Sequence, residues 1–176
     1  MTDPSEQSVE GLGVLERRGY DQFVKVDSGG QARVYKTLKN NKVFAVKVIK
    51  IKSKNSNMEE DLRREISIMK NLKHTNCLMV RDLFRTVHKV YIVMDFMPNG
   101  SVGSYVRKYD GISEWQAKSW FCPIARAVRY LHESLVAHRD IKLDNILVDR
   151  HWNPMLTDFG FVSMDTNTRE AQKLDT

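Results

Sequence analysis

Along the chain the hydrophobic pattern changes character once, at Met97-Pro98-Asn99-Gly100, and that break commits the fold to two unlike parts. Before it, alternating runs dominate. Tyr20–Val26, Ala32–Leu38 and Val43–Ile49 are separated by the turn-forming stretches Asp27-Ser28-Gly29-Gly30-Gln31 and Asn40-Asn41-Lys42. This spacing predicts a three-stranded antiparallel meander. Two more strands are expected near Leu78–Arg85 and Lys89–Asp95, the second almost continuously apolar. Between the two sets, Ser56–Lys73 carries Leu62, Ile66, Met69 and Leu72 at helical spacing. The first part is therefore a five-stranded sheet with one helix, and residues 1–18 read as a flexible polar tail.

After the break the period is helical. Val102–Tyr109 is a short helix. Ser113 with Gln116 has the form of a capping box, opening a long helix whose apolar face is Trp120, Phe121, Ile124, Ala125, Val128 and Leu131. Pro123 lies inside that pattern, where it removes a backbone donor at a cost of about 3 kcal/mol or kinks the helix. The whole is an α+β, two-lobed arrangement, with boundaries at 19–96, a hinge at 97–100, and 101–176.

Charge and composition exclude several classes of function. The 28 Lys+Arg against 22 Asp+Glu leave a net charge of +6, but acids interleave with the bases. The densest basic run, Lys47–Lys54, alternates with apolar residues and reads as a half-wet strand, so no nucleic-acid partner is expected. No run of about 18 apolar residues is present to span a bilayer. The polar, acidic start is unlike a signal or transit peptide, and Thr2 excludes N-myristoylation. Cys77 and Cys122 have no metal spacing and imply reduced thiols. A cytoplasmic location with no membrane partner is the expectation.

The chemistry gathers in four places. His138-Arg139-Asp140-Ile141-Lys142-Leu143-Asp144-Asn145 is followed by Asp158-Phe159-Gly160, while Phe44-Ala45-Val46-Lys47 lies on a strand and Glu65 on the helix after it. Together these resemble the catalytic set of the protein kinases: strand lysine, helix glutamate, catalytic loop and metal-binding aspartate, in order and on the expected elements. The resemblance implies a bilobal protein-kinase-like fold with ATP and Mg²⁺ as cofactors. Moving a γ-phosphoryl group is mostly positioning and charge neutralisation, which calls for cations on phosphate and oxygen ligands on Mg²⁺.

By the resemblance, Lys47 grips the α- and β-phosphates and is held by Glu65, and Asn145 and Asp158 are the metal ligands. Asp140 orients the substrate hydroxyl and Lys142 contacts the γ-phosphate. A lysine two residues after that aspartate is similar to serine/threonine kinases. Arg139 is similar to an arginine that takes an activation-loop phosphate, here expected on Thr176. His138 is expected to pack and hydrogen-bond in the core, not to act as a base. Val34, Ala45 and Leu147 sandwich the adenine, Val26 and Gly29 are further nucleotide-binding residues, Met94 is the gatekeeper, and backbone groups of Asp95 and Met97 meet the base. Val80, Met69, Phe159 and His138 match the regulatory spine.

The phosphate loop departs from the family pattern. Aligned on Val34, its glycines fall on Asp27, Gly29 and Ala32, so only Gly29 survives, where backbone must approach phosphate most closely. A carboxylate at Asp27 would repel the nucleotide unless it points outward. Within the kinases, Val90-Tyr91-Ile92-Val93-Met94, Ala32, Asp158-Phe159-Gly160-Phe161 and the closing Lys173-Leu174-Asp175-Thr176 are similar to the testis-specific serine kinase branch.

The resemblance runs from Tyr20 to Thr176 and stops within the activation segment. The peptide-positioning part and the large helices at the base of the second lobe would lie beyond it, and the helix at 113–135 would expose apolar surface. Two readings follow. One is a Mg·ATP-dependent serine/threonine kinase acting on protein substrates, with an upstream kinase as partner. The other is a catalytically inactive regulator that occupies a kinase chaperone or kinase partner. Retention of Lys47, Asp140 and Asp158 favours the first, while transfer by this chain alone is expected to be negligible.

Overall fold

In a computed structural model, residues 12–28, 32–51, 70–158 and 163–164 are described. Five antiparallel strands form the first sheet: β1 (Asp21–Ser28), β2 (Ala32–Lys39), β3 (Lys42–Lys50), β4 (Val80–Arg85) and β5 (Lys89–Asp95), in spatial order β1-β2-β3-β5-β4. The tight β2–β3 turn places Asn40 and Asn41 at φ 50 and 59, a left-handed region that asparagine tolerates. The expected helix at 56–73 lies almost wholly outside the described residues; Lys70 and Asn71 are helical.

Register decides which side chains share a face. Val34 opposes Lys47, Ala45 opposes Met94, and Lys47 opposes Ile92, so these five residues line one face. The opposite face carries Tyr35, Val46, Val48, Tyr91 and Val93, all buried. They are buried because a short helix, α1 (Gly13–Glu16), lies over them and contributes Leu12 and Leu15 to the same cluster. This corrects the flexible tail for residues 12–16; residues 1–11 lie outside the described residues. Leu15 is 0% exposed, and two leucines three apart gave too short a pattern to stand out in a polar stretch.

The second part holds α2 (Val102–Tyr109), α3 (Glu114–Glu133) and the short hairpin of β7 (Ile146–Val148) with β8 (Pro154–Leu156). A further two-residue pair joins β6 (Val136–Ala137) to β9 (Ser163–Met164). Ser101 caps α2 in both directions: its hydroxyl accepts from the Ser104 amide at 3.0 Å, and Ser104 Oγ accepts from the Ser101 amide at 3.1 Å. At α3 only half of the expected box forms. Ser113 Oγ accepts from the Gln116 amide at 3.2 Å, but the Gln116 side chain turns to Ser119 Oγ at 2.9 Å.

Pro123 sits within α3 without ending it. The buried stripe of α3 is Trp120, Ile124, Ala127 and Leu131. Phe121, expected on that face, is 72% exposed, because one residue beyond Trp120 is about 100° around the helix. Ala125 is likewise exposed. Trp115 is 76% exposed on the same helix.

The two parts share one core. Leu72, Cys77, Leu83, Val90 and Ile92 pack in a single cluster with Ile124, Ala127, Leu131, Val136 and Leu156. The segment between them is stitched by backbone bonds: the Leu78 amide donates to Leu156 O at 2.8 Å and the Leu156 amide to Asn76 O at 2.7 Å. Asn76 Nδ2 also donates to Pro154 O at 2.9 Å, and Tyr130 Oη accepts from the Lys73 amide at 2.9 Å. Cys77 and Cys122 are both free thiols, and burial pushes that of Cys77 up to about 12. No helix among the described residues is long and apolar enough to cross a membrane.

Candidate active site

The candidate site forms where the Lys47 face of the sheet meets Asp158, just after β8, beside the loop between β6 and β7. Lys47 Nζ donates to Asp158 Oδ1 at 2.5 Å, joining positions 111 residues apart. Glu65, the expected partner of this lysine, lies outside the described residues; the partner seen is Asp158. Asp158 has φ 63 and Arg139 φ 64, left-handed values that non-glycine residues rarely adopt. Such conformations persist where surrounding structure over-determines them.

The surrounding structure is visible. His138, 2% exposed, accepts from the Asp140 amide through Nδ1 at 3.3 Å, so Nε2 carries the proton and donates to Thr157 O at 2.9 Å. The Thr157 amide donates to Asn145 O at 2.9 Å. The histidine and the buried asparagine thus pin the chain on both sides of Asp140 and just before Asp158. The expectation that His138 packs and hydrogen-bonds holds. The Thr157 contribution is entirely main-chain, so its residue type gave no signal.

Asp140 is the centre of the loop. Its Oδ2 accepts from Lys142 Nζ and from Asn145 Nδ2, each at 2.8 Å, and its carbonyl accepts from the same Asn145 nitrogen at 2.8 Å. The hydrogen bond from Lys142 holds the carboxyl below the usual carboxylate range, and Asp140 in turn raises Lys142. The pair is charged at neutral pH. Because Asn145 Nδ2 is committed to Asp140, its amide oxygen is the atom left for a cation.

The helix α2 braces this loop from below. Arg107 Nη2 donates to Asp144 Oδ1 at 2.6 Å. A Cβ on Gly103 would stand 2.6 Å from the same oxygen, so a larger residue there would push the Asp144 carboxylate off its place against Arg107. Sequence reasoning missed Arg107, whose only signal is a positive charge in a last helical turn.

The residues expected around a nucleotide base assemble in part. Val34, Ala45 and Met94 share the sheet face with Lys47, as the register above shows, and Leu147 on β7 bridges to Ser101 beside the hinge. Val26, 53% exposed, is the extra residue of a β-bulge, since Lys25 pairs with Tyr35 and Asp27 with Val34. That bulge sets Asp27 opposite Val34, on the strand face that bears Lys47. Asp95 and Met97 flank Phe96 where β5 gives way to the hinge. Gly29, Phe159, Gly160, Met69 and Thr176 lie outside the described residues.

Among the described residues, no three His, Cys, Asp or Glu side chains cluster as a ready-made metal site. A carboxylate from Asp158 and an amide oxygen from Asn145 are hard oxygen donors of the kind Mg²⁺ takes when substrate phosphates complete its shell. The donor set fits the ion.

These features define a protein kinase domain, and the chain belongs to that family, which matches residues 20–175. Over 154 residues it is 31% identical to testis-specific serine/threonine-protein kinase 4 of Homo sapiens, covering 86% of this chain and 47% of that protein. Over 152 residues it is 35% identical to testis-specific serine/threonine-protein kinase 1 of Mus musculus, covering 84% and 42%. Over 145 residues it is 36% identical to maternal embryonic leucine zipper kinase of Danio rerio, covering 80% and 21%. The chain therefore spans less than half the length of each of these relatives.

Proposed function

We propose that this chain carries the nucleotide-binding and phosphoryl-transfer machinery of a protein serine/threonine kinase. The observation that carries the reading is the meeting of Lys47 and Asp158 at 2.5 Å, beside the Lys142–Asp140–Asn145 network. It joins a cation from the sheet to an acid from the other lobe, which is the charge arrangement a triphosphate and its metal require. The serine/threonine assignment is supported by Lys142, two residues after Asp140, and by the similarity to two testis-specific serine/threonine-protein kinases.

Bound Mg²⁺, held by Asp158 and Asn145, would supply charge neutralisation for the phosphates. The chain's own groups do the rest. As nucleotide enters, Lys47 exchanges Asp158 for the α- and β-phosphate oxygens. Asp140, kept ionised by Lys142, accepts a hydrogen bond from the substrate hydroxyl and orients its lone pair toward the γ-phosphorus. Lys142, hydrogen-bonded to that carboxylate, would contact the γ-phosphate. Arg139 would pair with a phosphate placed on Thr176 by an upstream kinase, since a guanidinium takes phosphate bidentately.

An acyl-phosphate derivative of ATP, which acylates lysines lying against nucleotide phosphates, tests the reading. Peptide mass analysis is expected to find Lys47 and Lys142 modified and both protected by excess Mg·ATP. Labelling spread over surface lysines and insensitive to ATP would contradict it.

A further inference from the structure

Three charges converge on the back of the sheet, at the residue where β5 becomes the hinge. Asp95 is the last residue of β5, and alternation puts its side chain with Tyr91 and Val93, away from the Met94 and Lys47 face. Its Oδ2 accepts from Arg81 Nε at 3.0 Å and also from Arg81 Nη2. Lys42 Nζ stands 3.5 Å from Oδ1, an ion pair at the outer limit of a hydrogen bond. Strands β3, β4 and β5 each contribute one member.

The geometry of β4 is bent to make this contact. Val80 pairs with Met94 and Asp82 with Val93, so Arg81 is the extra residue of a β-bulge. Bulges re-aim a side chain at the expense of a ladder position, and here the re-aimed group is the guanidinium on Asp95. Lys42 is steadied in turn: its ammonium lies 5.5 Å from the Phe44 ring centre, and Phe44 is the register partner of Asp95.

We infer that Arg81, Asp95 and Lys42 form a clamp that positions the hinge backbone. Asp95 carries no side-chain atom into the cleft, yet it fixes the strand end from which the groups of Asp95 and Met97 are presented to the base. These are positioning residues and not catalytic ones. The ligand half of this inference rests on the nucleotide-site reading; the mechanical half does not.

Two variants of the full chain, Asp95→Asn and Arg81→Met, are read in two ways. Amide hydrogen exchange of the free protein is expected to quicken about fivefold or more in the peptide covering 96–100, with 138–145 unchanged. Titration with Mg·ADP is expected to show about fivefold weaker binding, because a less preorganised hinge must be ordered on binding. Ser113→Ala controls for general loss of stability: it removes the hydroxyl that accepts from the Gln116 amide at 3.2 Å at the start of α3, on neither the sheet nor the hinge. It should lower the melting temperature without moving either readout.

Arg81→Lys keeps the charge, cannot span both donor positions, and should fall between wild type and Arg81→Met. Hinge exchange equal to wild type in both variants, or matched by Ser113→Ala, overturns the clamp. Normal hinge exchange with weakened binding also overturns it. Absence of Mg·ADP binding by the wild-type chain would sink the nucleotide-site reading, and the exchange data would still decide the clamp.

Discussion

Asp140 and Asp95 are both carboxylates held below the usual range, for different reasons and with different consequences. At Asp140 the leading cause is the hydrogen bond from Lys142. Asn in its place could still meet Lys142 through its amide oxygen but could not accept a proton. Asp140→Asn should therefore lower any γ-phosphoryl transfer by about 10²- to 10⁴-fold and leave Mg·ATP affinity within about twofold, measured by steady-state transfer and equilibrium titration. At Asp95, burial pushes the carboxyl up, and the Arg81 hydrogen bonds with the Arg81 and Lys42 charges outweigh it, so the net shift is down. A folded-state value below the ordinary 3.8 means the stabilisation is present above that pH and lost as pH falls through the folded value. The melting-temperature gap between wild type and Asp95→Asn should be full at neutral pH and close as pH falls below the ordinary carboxylate value, vanishing once Asp95 is neutral in the folded chain as well. A gap independent of pH would contradict the ion pair. The motif residues were legible because their chemistry fixes their type. Their pairings were not: nothing local to Lys47 announces Asp158, and nothing local to Arg81 announces a bulge.

At the scale of elements, legibility followed how many periods an element spans. Strands β1 to β5 each repeat their alternation several times between turn residues, and α2 begins and ends where Ser101 and the left-handed Asp110 would end it. The four-residue α1 has no full period to display, so its buried leucines passed for tail. In α3 the start was clear but its face was misread by one position at Phe121, because Trp120 and Phe121 compete for the same stripe and only packing decides. The cap at Ser113 makes a test: its hydroxyl satisfies one orphan amide of α3. Ser113→Ala should cost about 1 kcal/mol, seen as an earlier denaturant midpoint at unchanged slope. Gln116→Ala should cost much less, since its side chain does not return to the capping residue.

For the molecule as a whole, the decisive feature is that sheet and helices share one hydrophobic cluster across the break at 97–100. The break was plain in the sequence; the stitching of 73–78 to β8 and Tyr130 was not, because it is made largely of backbone groups. That stitching holds Lys47 on one lobe against Asp158 on the other, which is why residues 111 apart arrive within 2.5 Å. The proposed function requires this assembly to be a site for a metal-bound triphosphate. Equilibrium titration of the chain with ATP, with and without Mg²⁺, on wild type, Lys47→Met and Asp158→Asn, tests it most directly. Wild type should bind saturably and more tightly with Mg²⁺; Asp158→Asn should lose that metal dependence, and Lys47→Met should bind about tenfold or more weakly. No saturable binding by wild type, or the same affinity in all three with or without the metal, would contradict it.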